Sequence, residues 1–205
     1  MDLWKLERDC WAKGHDLVCG CDEAGAGPLA GRVYAAAVIL PRELAIEGLN
    51  DSKKLTPKKR DRLYDLIIEQ AQAWSVAWVE AAEIDETDIL SARMNAMQRA
   101  IDGLSVKPDF ALIDGNRDHG KHGTVTTPHT TIIKGDSLSA SIAAASILAK
   151  VSRDRYMEEM AVQYPQYAFE KHKGYPTKLH YERLDQYGPC PIHRLTFLKK
   201  RRKKA

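Results

Sequence analysis

The chain is short of several features that would set it apart from an ordinary globular protein. No apolar run approaches the ~20 residues that cross a bilayer, so no transmembrane helix is expected. Met1 to Trp11 carries charges throughout and has no apolar stretch of signal-peptide type, which predicts a cytoplasmic protein. Cysteine is scarce: Cys10, Cys19, Cys21 and Cys190 form no Cys-x-x-Cys pair and match no zinc-finger spacing. Reduced thiols packed as small hydrophobes are expected. No internal repeat or interdomain linker is visible. Neither sign of charge dominates: the net charge is +3, and the tail Lys199 to Lys204 alone carries six positive charges, so the rest of the chain is net negative. Such a run is expected to be disordered, either as a solubilising tail or as an arm on a polyanion. It does not by itself mark a nucleic-acid protein.

What is present indicates one α/β domain. Apolar residues make up 44% and charged residues 29%, which argues against global disorder. A chain of 205 residues should bury roughly 70% of its unfolded surface. Val18–Glu23 and Val33–Leu40 read as buried strands joined as a hairpin. Thr56 and Pro57 open a helix, as cap and first residue. Further strands are expected at Trp74–Glu80, Asp109–Asp114 and Thr130–Lys134. Helices are expected from about Glu86 to Gly103, from Gly135 through Tyr164, and from Thr177 to Tyr187. The order β-β-α-β-α-β-β-α predicts a mixed sheet flanked by helices. The core spans about residues 18–165, a C-terminal helical extension 166–198 and the basic tail 199–205.

The chain is organised around residues 19–31, where a strand ending in Asp22 and Glu23 runs into Gly25, Ala26, Gly27 and Gly31. Glycine there lets another molecule approach the main chain closely. Two further acids stand at element ends beside glycines: Asp114 before Gly115, and Asp136 after Gly135. Acids far apart in sequence can converge when they sit on neighbouring strand ends. Hard oxygen ligands of this kind suit Mg²⁺ or Mn²⁺ rather than zinc. Two such ions would serve phosphodiester hydrolysis. Taken singly, each acid reads as an unrelated loop-end carboxylate. Neighbours on a strand point to opposite faces, so Asp22 is expected as the central ligand, with Glu23 acting through its carbonyl or from the periphery. His119, His122 and His129 lie in the long polar loop 115–129 and read as solvated, with proton transfer as the alternative.

The motifs Asp22-Glu23-Ala24-Gly25-x-Gly27-Pro28-Leu29-Ala30-Gly31, Leu49 to Leu55, Asp114-Gly115-Asn116, Lys134 to Ser137, Ala143 to Asp154 and His172 to Thr177 together resemble ribonuclease HII, the bacterial type 2 ribonuclease H. The resemblance runs over about residues 18–198. It implies a ribonuclease H-like fold with a mixed five-stranded sheet. It also implies an endonuclease acting on RNA–DNA hybrids and on duplex DNA containing ribonucleotides, with a part in ribonucleotide excision repair. The cut falls 5′ of the ribonucleotide and leaves a 3′-hydroxyl and a 5′-phosphate. Asp22, Glu23, Asp114 and Asp136 then correspond to metal-binding catalytic acids, with two ions expected and a monomer as the working form. Gly25, Ala26, Gly27, Ser52, Lys53, Lys54, Asn116, Lys173 and Tyr175 correspond to substrate contacts, with Lys171 a further phosphate contact. Tyr175 corresponds to a ring that packs on a sugar. The family's turn normally reads Gly-Arg-Gly and touches the ribose 2′-hydroxyl through its backbone; here Ala26 replaces the arginine. The alternatives are weakened junction recognition, an inactive hybrid-binding module, or another polynucleotide nuclease on the same fold.

Overall fold

The computed structural model describes residues 2–49 and 55–202. In chain order the elements are α1 (Lys5–Trp11), β1 (Val18–Ala24), β2 (Val33–Ile39), α2 (Pro57–Gln70), β3 (Ala73–Val79), α3 (Ala81–Glu86), α4 (Ile89–Asp102), β4 (Phe110–Asp114), β5 (His129–Ile132), α5 (Ala140–Gln163), α6 (Phe169–His172), α7 (Lys178–Tyr187) and α8 (Leu195–Arg202). The strands form one sheet in the order β3-β2-β1-β4-β5. β1 pairs antiparallel with β2 and parallel with β4, so the sheet is mixed and β1 is central.

Alternation along β1 decides what each face receives. Cys19 and Cys21 pack against Met94, Met97 and Ala100 of α4, together with Val33, Ala35 and Ala37 of β2. On the other face Ala36 and Val38 meet Ala143, Ala144 and Ile147 of α5. The thiols are free, as expected, and those at 19, 21 and 10 are buried. α5 lies so close to β1 that a Cβ on Gly20 would occupy the Ser141 and Ile142 backbone. The small residues of its first half make this approach possible.

Side-chain caps mark where α2, α4, α5 and α7 begin. Thr56 accepts from the Lys59 N–H, with Pro57 at the first position, as the sequence indicates. The helix expected from Glu86 instead begins at Ile89, because Asp88 is extended and its carboxylate accepts from the Ser91 N–H at 2.9 Å. The segment after Gly135 is also corrected: Gly135–Ser137 forms a single 3-10 turn, and α5 starts only after Ser139 caps it. Glu7 of α1 reaches this start, accepting from Ser139 Oγ at 2.6 Å and the Ser141 N–H at 3.0 Å. α8 runs to Arg202, into the tail expected to be disordered, of which residues 203–205 lie outside the described residues. Its first turn is capped by Asp85, which accepts from the Leu195 N–H at 2.6 Å and the Thr196 N–H at 2.9 Å. Trp74 and Trp78 of edge strand β3 share one half-exposed face, as alternation predicts.

Replacing Gly20 by Ala must push α5 off β1, because the obstructing atoms are main chain. Overpacking of this kind costs roughly 1–3 kcal/mol or more. Urea unfolding of Gly20→Ala should show that loss; an unchanged midpoint would contradict the packing described.

Candidate active site

β1 continues through Asp22 and Glu23, so the two carboxylates leave opposite faces of the sheet. Asp22 is buried on the α5 side, where the Ser146 side chain bonds to it. Glu23 lies on the α4 side and pairs with Arg93 at 2.6 Å. Both nonetheless feel Asp114, which ends the neighbouring parallel strand. The register Cys21↔Ile113, carried one residue on, sets Asp114 beside Asp22. Asp114 in turn accepts from the Gly135 N–H at 2.7 Å and the Asp136 N–H at 3.4 Å. Lys134 turns the chain into this contact with a left-handed backbone (φ 58°). The fold thus brings Asp22, Glu23 and Asp114 within electrostatic reach and ties the main chain of Asp136 to them. Asp136 is itself buried.

The charges are crowded. Burial, then repulsion by Glu23 and Asp114, pushes the Asp22 carboxyl well above the usual carboxylate range. Burial also raises Glu23, against the pull of Arg93. Among the described residues, no three Asp, Glu, His or Cys side chains form a ready metal cage. The donor set is all oxygen and strongly anionic, and that chemistry fits a hard divalent cation.

Beside the acids lies a cleft of about 320 Å³, lined by Asp22, Glu23, Gly25, Ala26, Gly27, Ser146, Lys150, Arg153 and Tyr175. Gly25 has φ +97°, and a Cβ there would meet the Arg153 side chain, so the turn requires glycine. Ala26 is half-buried and Gly27 exposed. Tyr175 is 42% exposed, and its ring lies 5.6 Å from the Arg153 guanidinium. Lys173 turns away from the acids: it pairs with Glu158 at 2.9 Å and lines a separate, mixed-charge cleft between α2 and α5. Asn116 and Lys171 are exposed. Ser52, Lys53 and Lys54 lie outside the described residues. His119 and His122 are exposed, as read from the sequence. His129 is not: its Nδ1 lies 2.6 Å from the Thr127 carbonyl oxygen and its Nε2 3.2 Å from Asp118.

Three residues given no role from the sequence belong to this region. Arg93 balances Glu23. Arg153 is fully buried on α5; its Nη2 donates to the Lys173 carbonyl at 2.9 Å, and its Nε and Nη1 have no partner. Arg153 was legible in principle, because it falls on the same helical stripe as buried Ala149 and Met157. Arg194 carried no comparable signal, since it lies outside any periodic segment.

Behind the Tyr175 turn sits a buried imidazole chain. The Cys190 N–H donates to His193 Nδ1 at 2.9 Å, His193 and His180 meet through their Nε2 atoms at 3.1 Å, and His180 Nδ1 lies 3.0 Å from the Tyr175 carbonyl. One consistent tautomer set has every ring neutral and each N–H donating onward toward Tyr175. His172 stacks on His180 with centroids 4.4 Å apart.

A central parallel strand pair delivering acids to one end of a mixed five-stranded sheet, with helices against both faces, is a ribonuclease H-like arrangement. Solved structures agree. Ribonuclease H2 from Pyrococcus horikoshii superposes with a TM-score of 0.74 at 28% identity, covering 92% of this chain and 99% of its own. At 19% identity the likeness is of fold alone: Bst-RNase HIII, determined in complex with Mn²⁺, gives 0.63 over 88% of this chain and 67% of its own. The family model described as ribonuclease HII matches residues 19–200. A ribonuclease HII of Caldicellulosiruptor bescii is 53% identical over 198 residues, 97% of this chain and 94% of that protein. The chain belongs to the ribonuclease HII family and is an endoribonuclease that hydrolyses the RNA strand of RNA–DNA hybrids.

The imidazole chain gives the fold a defined acid sensitivity. Burial, reinforced by neighbouring imidazoles, lowers His180 and His193 from 6.5 to about 4. The unfolded chain therefore binds their protons first as pH falls. The stability they support is fully present above pH 6.5 and is lost as pH drops toward 4, at up to about 1.4 kcal/mol per pH unit for each ring. Urea midpoints compared between wild type and His180→Gln should differ in slope only in that window; identical slopes would contradict the neutral-chain assignment.

Proposed function

We propose that this ribonuclease is a metal-dependent endonuclease that also cuts on the 5′ side of ribonucleotides embedded in duplex DNA. The observation that carries the reading is the meeting of Asp22, Glu23 and Asp114, with the Asp136 main chain, beside a glycine-floored cleft. Asp22, Glu23, Asp114 and Asp136 would hold one or two divalent ions, Mg²⁺ or Mn²⁺. Bound ions would supply Lewis-acid polarisation of the phosphate and lower the pKa of water. The Mn²⁺ in the related Bst-RNase HIII supports that choice of chemistry.

The chain's own groups account for the remaining steps. Ser146 and the Glu23 N–H fix the orientation of the Asp22 carboxylate, the latter at 2.7 Å. Arg93 restrains Glu23 on the opposite face. Tyr175 offers an exposed ring for a sugar, and the Gly25-Ala26-Gly27 loop lines the same cleft, with Gly27 next to that ring. Lys150, bonded to Asp154 at 2.6 Å, also lines the cleft. In hydrolysis a water oxygen bonds to phosphorus and the bond to the 3′-oxygen breaks. That oxygen takes a proton, giving a 3′-hydroxyl and a 5′-phosphate. Asn116 and Lys171 are exposed and available to phosphates. Phosphate contacts position a duplex without reading its sequence.

Asp22→Asn should lower the cleavage rate of a labelled RNA–DNA hybrid by at least about 10²-fold, the scale of losing one preorganised electrostatic contact. Normal turnover would overturn the assignment. Chelation should abolish cleavage, with Mg²⁺ or Mn²⁺ restoring it. Ala26→Arg adds a guanidinium beside the phosphates. It should raise cleavage at a single embedded ribonucleotide about tenfold, the worth of one charge-assisted hydrogen bond; an unchanged rate would mean that the arginine is dispensable here.

A further inference from the structure

Arg194 stands out among the groups that the reaction as described does not use. It is 0% exposed, and among the described residues it has no carboxylate partner within salt-bridge distance. Burying a cation without a carboxylate partner is costly, so its placement here calls for a reason. Its five N–H groups are all engaged, and every acceptor is a backbone carbonyl of one loop. Nε donates to Gly31 O at 2.9 Å. Nη1 donates to Ala26 O at 3.0 Å and Pro28 O at 2.9 Å. Nη2 donates to Gly25 O at 2.7 Å and Gly31 O at 2.8 Å. The main chain adds a clamp: the Arg194 N–H donates to Leu29 O at 2.8 Å, and the Gly31 N–H donates to Ile192 O at 2.8 Å.

This arrangement has a consequence on the far side of the loop. In a trans peptide the carbonyl and the following N–H point in opposite directions. Drawing the Gly25 and Ala26 carbonyls inward therefore turns the N–H groups of Ala26 and Gly27 outward. Both residues line the cleft that contains Asp22, Glu23 and Tyr175. Neither N–H has a backbone partner among the described residues. By contrast the Leu29 N–H, which follows the Pro28 carbonyl, is used to tie down Gly174 at 2.8 Å. The loop thus offers two adjacent, unspent donors beside the acids.

We propose that Arg194 is a positioning residue that makes the loop a two-donor receptor for the sugar hydroxyl of a ribonucleotide. It acts from behind the loop and does not touch substrate. A lysine keeps the charge but has three N–H donors on one atom and cannot span four carbonyls. The inference rests on the ribonuclease reading above, and the experiment separates the two.

The test compares wild type with Arg194→Lys. Dissociation constants are measured without divalent ions for a DNA duplex carrying one ribonucleotide and for the same duplex in all-deoxy form. The preference for the ribonucleotide duplex should fall at least fivefold in the variant, while the all-deoxy affinity stays within twofold. A loss of folded protein alone would weaken both duplexes equally and leave the ratio intact. In wild type, the Ala26 and Gly27 amide resonances should shift on adding the ribonucleotide duplex and not on adding the all-deoxy one; this arm decides if the variant does not fold. A retained preference in folded Arg194→Lys, or amides that respond equally to both duplexes, overturns the inference alone. A wild-type protein that cuts no hybrid overturns the functional reading as well.

Discussion

Like charge gathered at one end of a central strand pair is the constraint on which the site depends. Asp22, Glu23 and Asp114 repel one another, and burial already disfavours the ionised forms of Asp22 and Glu23. Glu23 is balanced by Arg93 at 2.6 Å. A fold selected for stability alone would place apolar side chains here. The neighbouring packing makes the crowding tolerable: α5 pressed onto Gly20, α4 on the opposite face, and Glu7 holding the start of α5. The sheet, rather than the loops, fixes where the acids stand. That rigidity suits a group that must be held close to one geometry.

A second body supports the cleft from the C-terminal side. The segment 190–196 joins three things: the glycine loop through Arg194, the Tyr175 turn through the imidazole chain, and α3 through the Asp85 cap. Loop and aromatic ring are thereby referred to the same scaffold, although more than 140 residues separate them in sequence. Buried polar groups satisfied by backbone carbonyls, such as Arg194, specify one loop geometry more strictly than apolar contact would.

Much of this was legible before any coordinates. The alternation Cys19-Gly20-Cys21-Asp22 marks a buried strand whose last residues change character, and Asp22 and Glu23 do leave opposite faces. The Thr56–Pro57 helix start and the small-residue half of α5 follow from local chemistry. Three features did not follow. The break at Asp88 depends on a side-chain cap competing with helix propagation. The 3-10 turn at Gly135–Ser137 is imposed by the Asp114 carboxylate, a long-range contact. α8 extends to Arg202, inside the basic run, and its first turn is capped by Asp85 from another part of the chain. Lys173 illustrates a different limit: its motif indicates a phosphate contact, whereas its side chain is directed to Glu158. Pairing between distant segments leaves little trace in local patterns, and Arg194 is the clearest case.

The central claim is that carboxylates brought together from three strand and turn ends form one cation site. The most direct measurement is calorimetric titration of the intact protein with Mn²⁺, repeated on Asp114→Asn and, as a control, on Asp118→Asn, whose carboxylate pairs with His119 and His129 in the neighbouring loop. The account predicts saturable binding in wild type and in the control, and binding weakened at least about tenfold in Asp114→Asn. Equal binding by all three proteins, or none by wild type, would contradict it.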